Sequence, residues 1–244
     1  MAKAIILCGG KGTRLRPYTY SVPKPMLRLG KRPILEFVIN TLKSNGFRDI
    51  IITLGYRSDQ IQQYFGDGSK FGVKIKYSVE SEENPLNTAG SLLPLKSDLK
   101  ESFLVVMGDH LTSMNLKAFF ENHKKSGCIA SMAFKKTGVP LEYGVAHLDG
   151  KNRVTRFEEK PIVQNFVSAG IYALEPGIFE CIRERDDFAK NVFPCLLEKK
   201  EAINGYVFEE YWLDIGRTSD YEQLNETIST IDFVMHHSKV RGEF

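Results

Sequence analysis

Three glycines in four positions, Gly9, Gly10 and Gly12, follow directly on the apolar run at residues 4–7. Glycine lets a chain turn tightly, and a turn at a strand end can aim several backbone N–H groups at one anion, so this segment reads as a phosphate cradle. Leu7, Gly9, Gly10, Gly12 and Thr13 are its candidate contacts. Arg14, Arg16 and Lys24 stand close behind, with Pro23 and Pro25 stiffening the backbone around Lys24. A triphosphate needs this combination: amides for geometry, and cations to meet the negative charge that develops at the reacting phosphorus. A P-loop is excluded, because it needs Gly-Lys followed by Ser or Thr after a four-residue spacer, and the dinucleotide fingerprint needs a glycine where Leu15 stands. Taken alone, the segment also fits a purely structural glycine turn.

Asp109 and Asp214 form the second group. Asp109 follows the apolar run Phe103–Met107 and Gly108, and Asp214 follows Trp212 and Leu213. Both are expected at the carboxyl ends of strands, where open α/β sheets place ligands. Two converging carboxylates suit Mg²⁺, which takes oxygen ligands and shares its coordination with substrate phosphates. Either aspartate alone reads equally as a cap or turn residue.

Such residues must be held by a scaffold, and the first half of the chain alternates short β-rich runs with amphipathic stretches. A strand at 4–7 leads to a helix opened by Pro33, with Ile34, Leu35, Phe37, Val38, Ile39 and Leu42 as its apolar face and Asn45-Gly46 as its stop. Strands at 50–54, 74–79 and 103–107 follow, with helices near 59–64 and from Thr88. Four βα units in a row predict an α/β fold with a doubly wound, mainly parallel sheet. After Cys128, strand-like runs at 129–134, 144–148, 154–158 and 166–174 predict β-hairpins added to that sheet, and helical pattern returns at 187–199 and 219–231. The organisation is one catalytic domain over residues 1–231 and a polar tail at 232–244, whose His236-His237 pair is expected to be solvated.

The bulk properties narrow the function. With 33 Lys and Arg against 30 Asp and Glu, the formal net charge is +3 and no basic block stands out, which argues against a nucleic-acid partner and is compatible with small anionic substrates. No apolar run approaches the ~20 residues of a membrane span, and there is no signal-peptide pattern, so a cytoplasmic protein without a membrane partner is expected. A homo-oligomer is compatible with these bounds. The four cysteines lack C-x-x-C spacing, which argues against a zinc knuckle, a redox pair or a disulfide framework.

Read together, Gly9-Gly10-Lys11-Gly12-Thr13-Arg14-Leu15 and Pro23-Lys24-Pro25 resemble the opening of the sugar-1-phosphate nucleotidylyltransferases, also called nucleotide-sugar pyrophosphorylases. Glu80 with Pro85-Leu86-Asn87-Thr88-Ala89-Gly90 looks like that family's base-recognition loop, and Met107-Gly108-Asp109 like its metal-binding strand end. Tyr143-Gly144-Val145, Phe157-Glu158-Glu159-Lys160-Pro161, Ser168-Ala169-Gly170-Ile171-Tyr172 and Tyr211-Trp212-Leu213-Asp214-Ile215-Gly216 look like its sugar, phosphate and second metal motifs. The likeness covers residues 3–231.

The resemblance implies transfer of a nucleoside monophosphate from a nucleoside triphosphate (NTP) to a sugar 1-phosphate, with release of pyrophosphate and Mg²⁺ as cofactor. It implies catalytic roles for Arg14 on the leaving pyrophosphate and α-phosphate, Lys24 near the reacting centre and Lys160 on the sugar phosphate. Glu80, Pro85, Thr88, Ala89 and Gly90 fall to the nucleotide; Gly144, Glu159, Ser168, Ala169 and Gly170 to the sugar; Asp109 and Asp214 to the metal. Two departures stand out: Asn87 replaces the loop's first Gly, a change that touches base fit, and Ser168 stands where the family usually has Asn. Glu80 and the Leu-x-Thr-Ala-Gly arrangement look more like mannose-1-phosphate guanylyltransferases, implying GTP and mannose 1-phosphate; UTP or dTTP with glucose 1-phosphate is the alternative. Glu80 either reads guanine's two donors or is a solvated member of the acidic run with Glu82 and Glu83. A non-catalytic nucleotide-sugar-binding subunit would have lost phosphate or metal residues, whereas Arg14, Lys24, Asp109 and Asp214 are all present.

Overall fold

The computed structural model describes residues 2–228. Its strands are β1 (Ala4–Cys8), the small hairpin β2 (Arg28–Leu29) and β3 (Arg32–Pro33), β4 (Asp49–Leu54), β5 (Lys74–Val79), β6 (Phe103–Met107), β7 (His110–Thr112), β8 (Ala130–Pro140), β9 (Val145–Leu148), β10 (Val154–Glu158), β11 (Ile162–Leu174), β12 (Ile203–Phe208) and β13 (Trp212–Asp214). Seven form one sheet in the order β12-β8-β11-β6-β1-β4-β5. β1 pairs in parallel with both β4 and β6, β4 with β5, and β12 with β8; β11 runs antiparallel between β6 and β8. The sheet is therefore mainly parallel.

All five residues of β1 are buried, as expected of a strand covered on both faces. Ala4, Ile6 and Cys8 enter one core cluster while Ile5 and Leu7 enter another, because successive strand side chains point to opposite faces. Helix α1 (Ile34–Ser44) covers the first face with Leu35, Val38, Ile39 and Leu42, and α2 (Ser58–Phe65) adds Ile61 and Phe65. Pro33, whose fixed φ suits a helix entrance, occupies the N-cap.

Several expectations change. The helix expected from Thr88 is a single turn, α3 (Asn87–Gly90), followed by a 3₁₀ turn at Leu93–Leu95 that contains Pro94. After α4 (Leu116–Ser126), the segment expected as one helix at 187–199 splits into a π-helical turn, Phe188–Val192, and α5 (Phe193–Glu198), with Pro194 in its first turn. α6 (Thr218–Glu226) fulfils the start of the last expected helix; residues 229–231 and the tail with His236 and His237 lie outside the described residues. The runs at 129–134 and 166–174 are halves of longer strands that enter the central sheet, and only β9 and β10 make a separate hairpin. Residues 135–140 and 162–167 escaped the sequence reading because they leave the covered sheet as a two-stranded ribbon, where apolar residues need not alternate with polar ones.

Candidate active site

The strand order reverses at β1: the chain builds outward through β4 and β5, then returns to place β6 on the other flank. A crevice opens at the carboxyl ends of strands at such a switch point. The glycine loop leaves β1 there, and Gly108-Asp109 leaves β6 beside it. A Cβ on Gly108 would collide with Cys8 Sγ and lie 3.1 Å from Leu7 O, so glycine lets the two strand ends close on each other. Gly12 has φ +61 and plays the corresponding part for the basic segment, since a Cβ there would sit 3.0 Å from Lys24 Cβ and 3.1 Å from Thr19 Cγ2. Thr19 Oγ1 donates to Gly12 O at 2.8 Å and ties the segments together. The result is a pocket of about 240 Å³, lined by Leu7, Gly10, Gly12, Thr13, Arg14, Lys24 and Asp109 and bordered by Gly216.

Asp214 arrives from a distant part of the sequence. Antiparallel pairing of β13 with β7 sets it opposite His110, the residue after Asp109. Lys24 Nζ donates to Asp109 Oδ2 and lies 3.7 Å from Asp214 Oδ1. His110 Nε2 lies 3.6 Å from Asp109 Oδ1 and 3.4 Å from Asp214 Oδ1, while its Nδ1 is 2.9 Å from Ala169 O. Trp212 Nε1 also donates to Ala169 O, at 2.9 Å, and its ring meets the His110 ring edge-on. Burial disfavours the His110 imidazolium, but its Nε2 contact with Asp214 and the two negative charges outweigh this and raise its pKa. The His110 contact in turn holds Asp214 at about 2 against burial, with the charges of His110, Lys24 and Arg14 assisting.

Asp109, His110 and Asp214 offer ligand atoms all within 4.8 Å of one another. Asp214 Oδ1 is buried without a hydrogen bond, an acceptor left for a cation. Two carboxylates suit a hard divalent cation such as Mg²⁺, and the Lys24 ammonium between them shows that the site attracts positive charge. These residues fit a metal. His110 carried no signal in the sequence beyond following Gly-Asp at a strand end.

On the nucleotide side, Glu80 is half-buried while Glu82 and Glu83 are exposed, so the three do not form one solvated run. Its Oε2 accepts from Leu86 N at 3.0 Å, and a Cβ on Gly9 would lie 2.5 Å from its Oε1. Burial pushes its pKa up, opposed by the Leu86 N–H. Pro85 is exposed beside it. The hydroxyl of Thr88 and the N–H groups of Ala89 and Gly90, expected to face the nucleotide, are instead bonded to Asp187, Phe188 and Asp186.

The sugar-side residues divide. Ala169 and Gly170 join the carboxylate cluster, Ala169 through its carbonyl and Gly170 through a φ of +67 that leaves no room for a side chain beside His110 and Met107. Ser168 is exposed at the register shift of β11. Gly144 and Glu159 meet at the open end of the β9–β10 hairpin, where a Cβ on Gly144 would lie 2.8 Å from Glu159 Oε2, and Lys160 is exposed next to them. None of these three lines the phosphate pocket.

Comparison with known proteins places this geometry in context. The chain is 33% identical over 241 residues to a UTP–glucose-1-phosphate uridylyltransferase of Synechocystis, matching 91% of this chain and 62% of that protein. It is 35% identical to a mannose-1-phosphate guanyltransferase of Yarrowia lipolytica, again matching 62% of the relative's length. A D-glycero-α-D-manno-heptose 1-phosphate guanylyltransferase of Campylobacter jejuni is 34% identical and is matched over 96% of its length. The crystal structure of HddC from Yersinia pseudotuberculosis superposes with a TM-score of 0.73 at 24% identity, covering 93% of this chain and all of that one, and so shares the fold. The family described as Nucleotidyl transferase matches residues 3–230, and the chain belongs to that family.

Proposed function

We propose that the protein is a sugar-1-phosphate nucleotidylyltransferase acting on GTP and mannose 1-phosphate. The observation that carries the reaction class is the convergence, in one crevice, of the glycine loop, Arg14, Lys24, Asp109 and Asp214 from four separate stretches of chain. In the proposed reaction an oxygen of the sugar phosphate bonds to the α-phosphorus in line with the bond to the bridging oxygen, which breaks as pyrophosphate departs. The nucleophile is already an anion, so the residues have to position and neutralise. Loop N–H groups hold the phosphates, Arg14 meets the charge accumulating on the leaving group, and Lys24 turns its ammonium from Asp109 to the phosphates. Asp109 and Asp214 would hold Mg²⁺, which when bound supplies positive charge to the triphosphate. Glu159, just after β10, is assigned to the sugar hydroxyls and Lys160 to the sugar phosphate.

The choice of GTP rests on Glu80. Its Oε1 faces the glycine loop while Oε2 is anchored by Leu86 N–H, and an acceptor suits guanine's N1–H and amine better than the single N–H of uracil or thymine. Relatives of similar identity include both guanylyltransferases and a uridylyltransferase, so UTP with glucose 1-phosphate is the second reading. Pyrophosphate release measured for four triphosphates against mannose, glucose and heptose 1-phosphates tests both. GTP with mannose 1-phosphate should give the highest kcat/KM; no release with any pair would sink the catalytic reading and favour a binding subunit.

A further inference from the structure

The loop at residues 84–90 is held in place by a second loop almost a hundred residues later. Asp186 O accepts from both Ala89 N and Gly90 N at 3.0 Å. Thr88 Oγ1 donates to Asp187 Oδ2 at 2.8 Å and accepts from Phe188 N at 3.0 Å. Asn87 Nδ2 donates to Arg185 O at 2.7 Å, and Arg185 Nη2 donates to Asn84 Oδ1 at 2.9 Å. Gly90 permits the approach, since a Cβ there would lie 2.8 Å from Arg185 N. Two of the partners, Asn87 at φ 61 and Arg185 at φ 64, keep side chains in the left-handed region that glycine enters without steric cost. Each of those side chains spends itself on a bond across the two loops.

The geometry points to Asn87 and Arg185 as a clasp that sets nucleobase selection, with Arg185 acting as a positioning residue that touches no substrate. This rests on the reading of residues 84–90 as the base loop. One edge of that loop meets Glu80 through Leu86 N–H, and the opposite edge is hydrogen-bonded where Asn84, Asn87 and Thr88–Gly90 meet residues 185–188. A site that discriminates by hydrogen bonds needs its donors and acceptors held in register with the base. With the clasp open, the loop's polar groups spread over more positions. Every base then binds more weakly, and the favoured base loses most. The glycine loop, Arg14 and Lys24 follow β1, Asp109 follows β6 and Asp214 ends β13, none of them in either clasp loop, so the chemical step is not the place where the loss appears.

Arg185→Gly and Asn87→Gly are suited to test this, because each removes a clasp side chain while glycine at a positive φ relieves strain that offsets the lost bond, so the melting temperature should change little. The expected result is a KM for the preferred triphosphate raised about three- to tenfold, the range one lost hydrogen bond supports. The ratio of kcat/KM between the best and second-best base should fall by a similar factor, with kcat and the sugar-phosphate KM nearly unchanged. Arg185→Lys, which keeps a cation able to reach Asn84, should recover part of the ratio. An unchanged base ratio in both glycine variants would overturn the clasp, as would a lowered melting temperature with kcat and both KM values shifting together. Should the parent release no pyrophosphate at all, the proposed reaction fails on its own; the ratio of Kd for GTP and UTP, parent against Arg185→Gly, then decides the clasp.

Discussion

Lys24→Met replaces the ammonium that lies between Asp109 and Asp214 with an apolar side chain of similar length. At 3.7 Å and an effective dielectric constant of 20, one ammonium–carboxylate contact carries about 4 kcal/mol of Coulomb energy. Part of that is cancelled by desolvation, yet removing one member of a buried pair costs about 3–5 kcal/mol because the remaining charge is stranded. The Lys24 side chain is 10% exposed, Asp109 24% and Asp214 36%. Water therefore screens the carboxylates, and the expected loss comes down to about 2–3 kcal/mol. In a domain of this size that corresponds to a fall in Tm of about 5–10 °C. The carboxylates freed by the substitution form a better cation site than the parent's, so MgCl₂ should restore much of the lost Tm in the variant while shifting the parent little, against NaCl at equal ionic strength. Differential scanning calorimetry with and without chelator measures both effects. A Lys24→Met protein that melts with the parent in chelator, or that gains nothing from Mg²⁺, would refute the view that Lys24 holds the place of a cation here.

Asp109→Asn or Asp214→Asn should abolish turnover while leaving the fold intact by circular dichroism; near-parental rates at saturating Mg²⁺ would exclude the two-carboxylate site. Arg14→Ala should lower kcat more than it raises KM, because a cation facing the leaving phosphates acts on transition-state charge, and a pure KM effect would remove that role. Glu80→Gln should shift the ratio of kcat/KM from GTP toward UTP, and an identical ratio would show that Glu80 only anchors Leu86. His123 is buried, with Nδ1 2.8 Å from Ser131 Oγ and Nε2 3.2 Å from Glu175 Oε1. Burial lowers its pKa, with Glu175 opposing and Lys124 assisting. The neutral ring is thus favoured in the folded chain: its contribution is complete above the unfolded pKa of about 6.5 and is lost as pH falls toward the lower folded value. Tm should drop between pH 7.5 and 5, and His123→Gln should flatten that drop.

Much of this arrangement was legible in the chain itself. β1, β6 and α1 stand where apolar runs and punctuation put them, because strands buried on both faces and a helix with a broad apolar stripe leave little choice of period, while edge strand β5 shows itself by Ile75 and Tyr77 alternating with lysines. Arg14, Lys24 and Asp109 could be placed together because a glycine turn after one strand and an aspartate after a neighbouring strand fall at the same switch point. Legibility failed where partners are distant in sequence. Nothing near Asp109 announces that His110 faces Asp214 across the β7–β13 pair, and nothing near Thr88 announces that its hydroxyl belongs to Asp187. The short helical turns at 87–95 and 188–198 were misjudged for length because Pro94 and Pro194 interrupt stretches whose composition is otherwise helical.

β11 changes mechanical character along its length. Tyr172 to Leu174 are hydrogen-bonded on both sides, to β6 and β8, whereas Ile162 to Ser168 have β8 alone as neighbour, and the register slips between the two stretches. A ladder with one neighbour and two wet faces opens at lower free energy than one embedded in a sheet, so amide hydrogens at 162–167 should exchange with solvent far sooner than those at 172–174. Glu159 and Lys160 lie just before the compliant end, and Ala169 and Gly170 at the slip between the two stretches. The outer ribbon can therefore be altered, residue by residue or in length, without disturbing the pairing of the embedded stretch. One strand thus carries a yielding outer length and a rigid inner one, joined at a single slip of register.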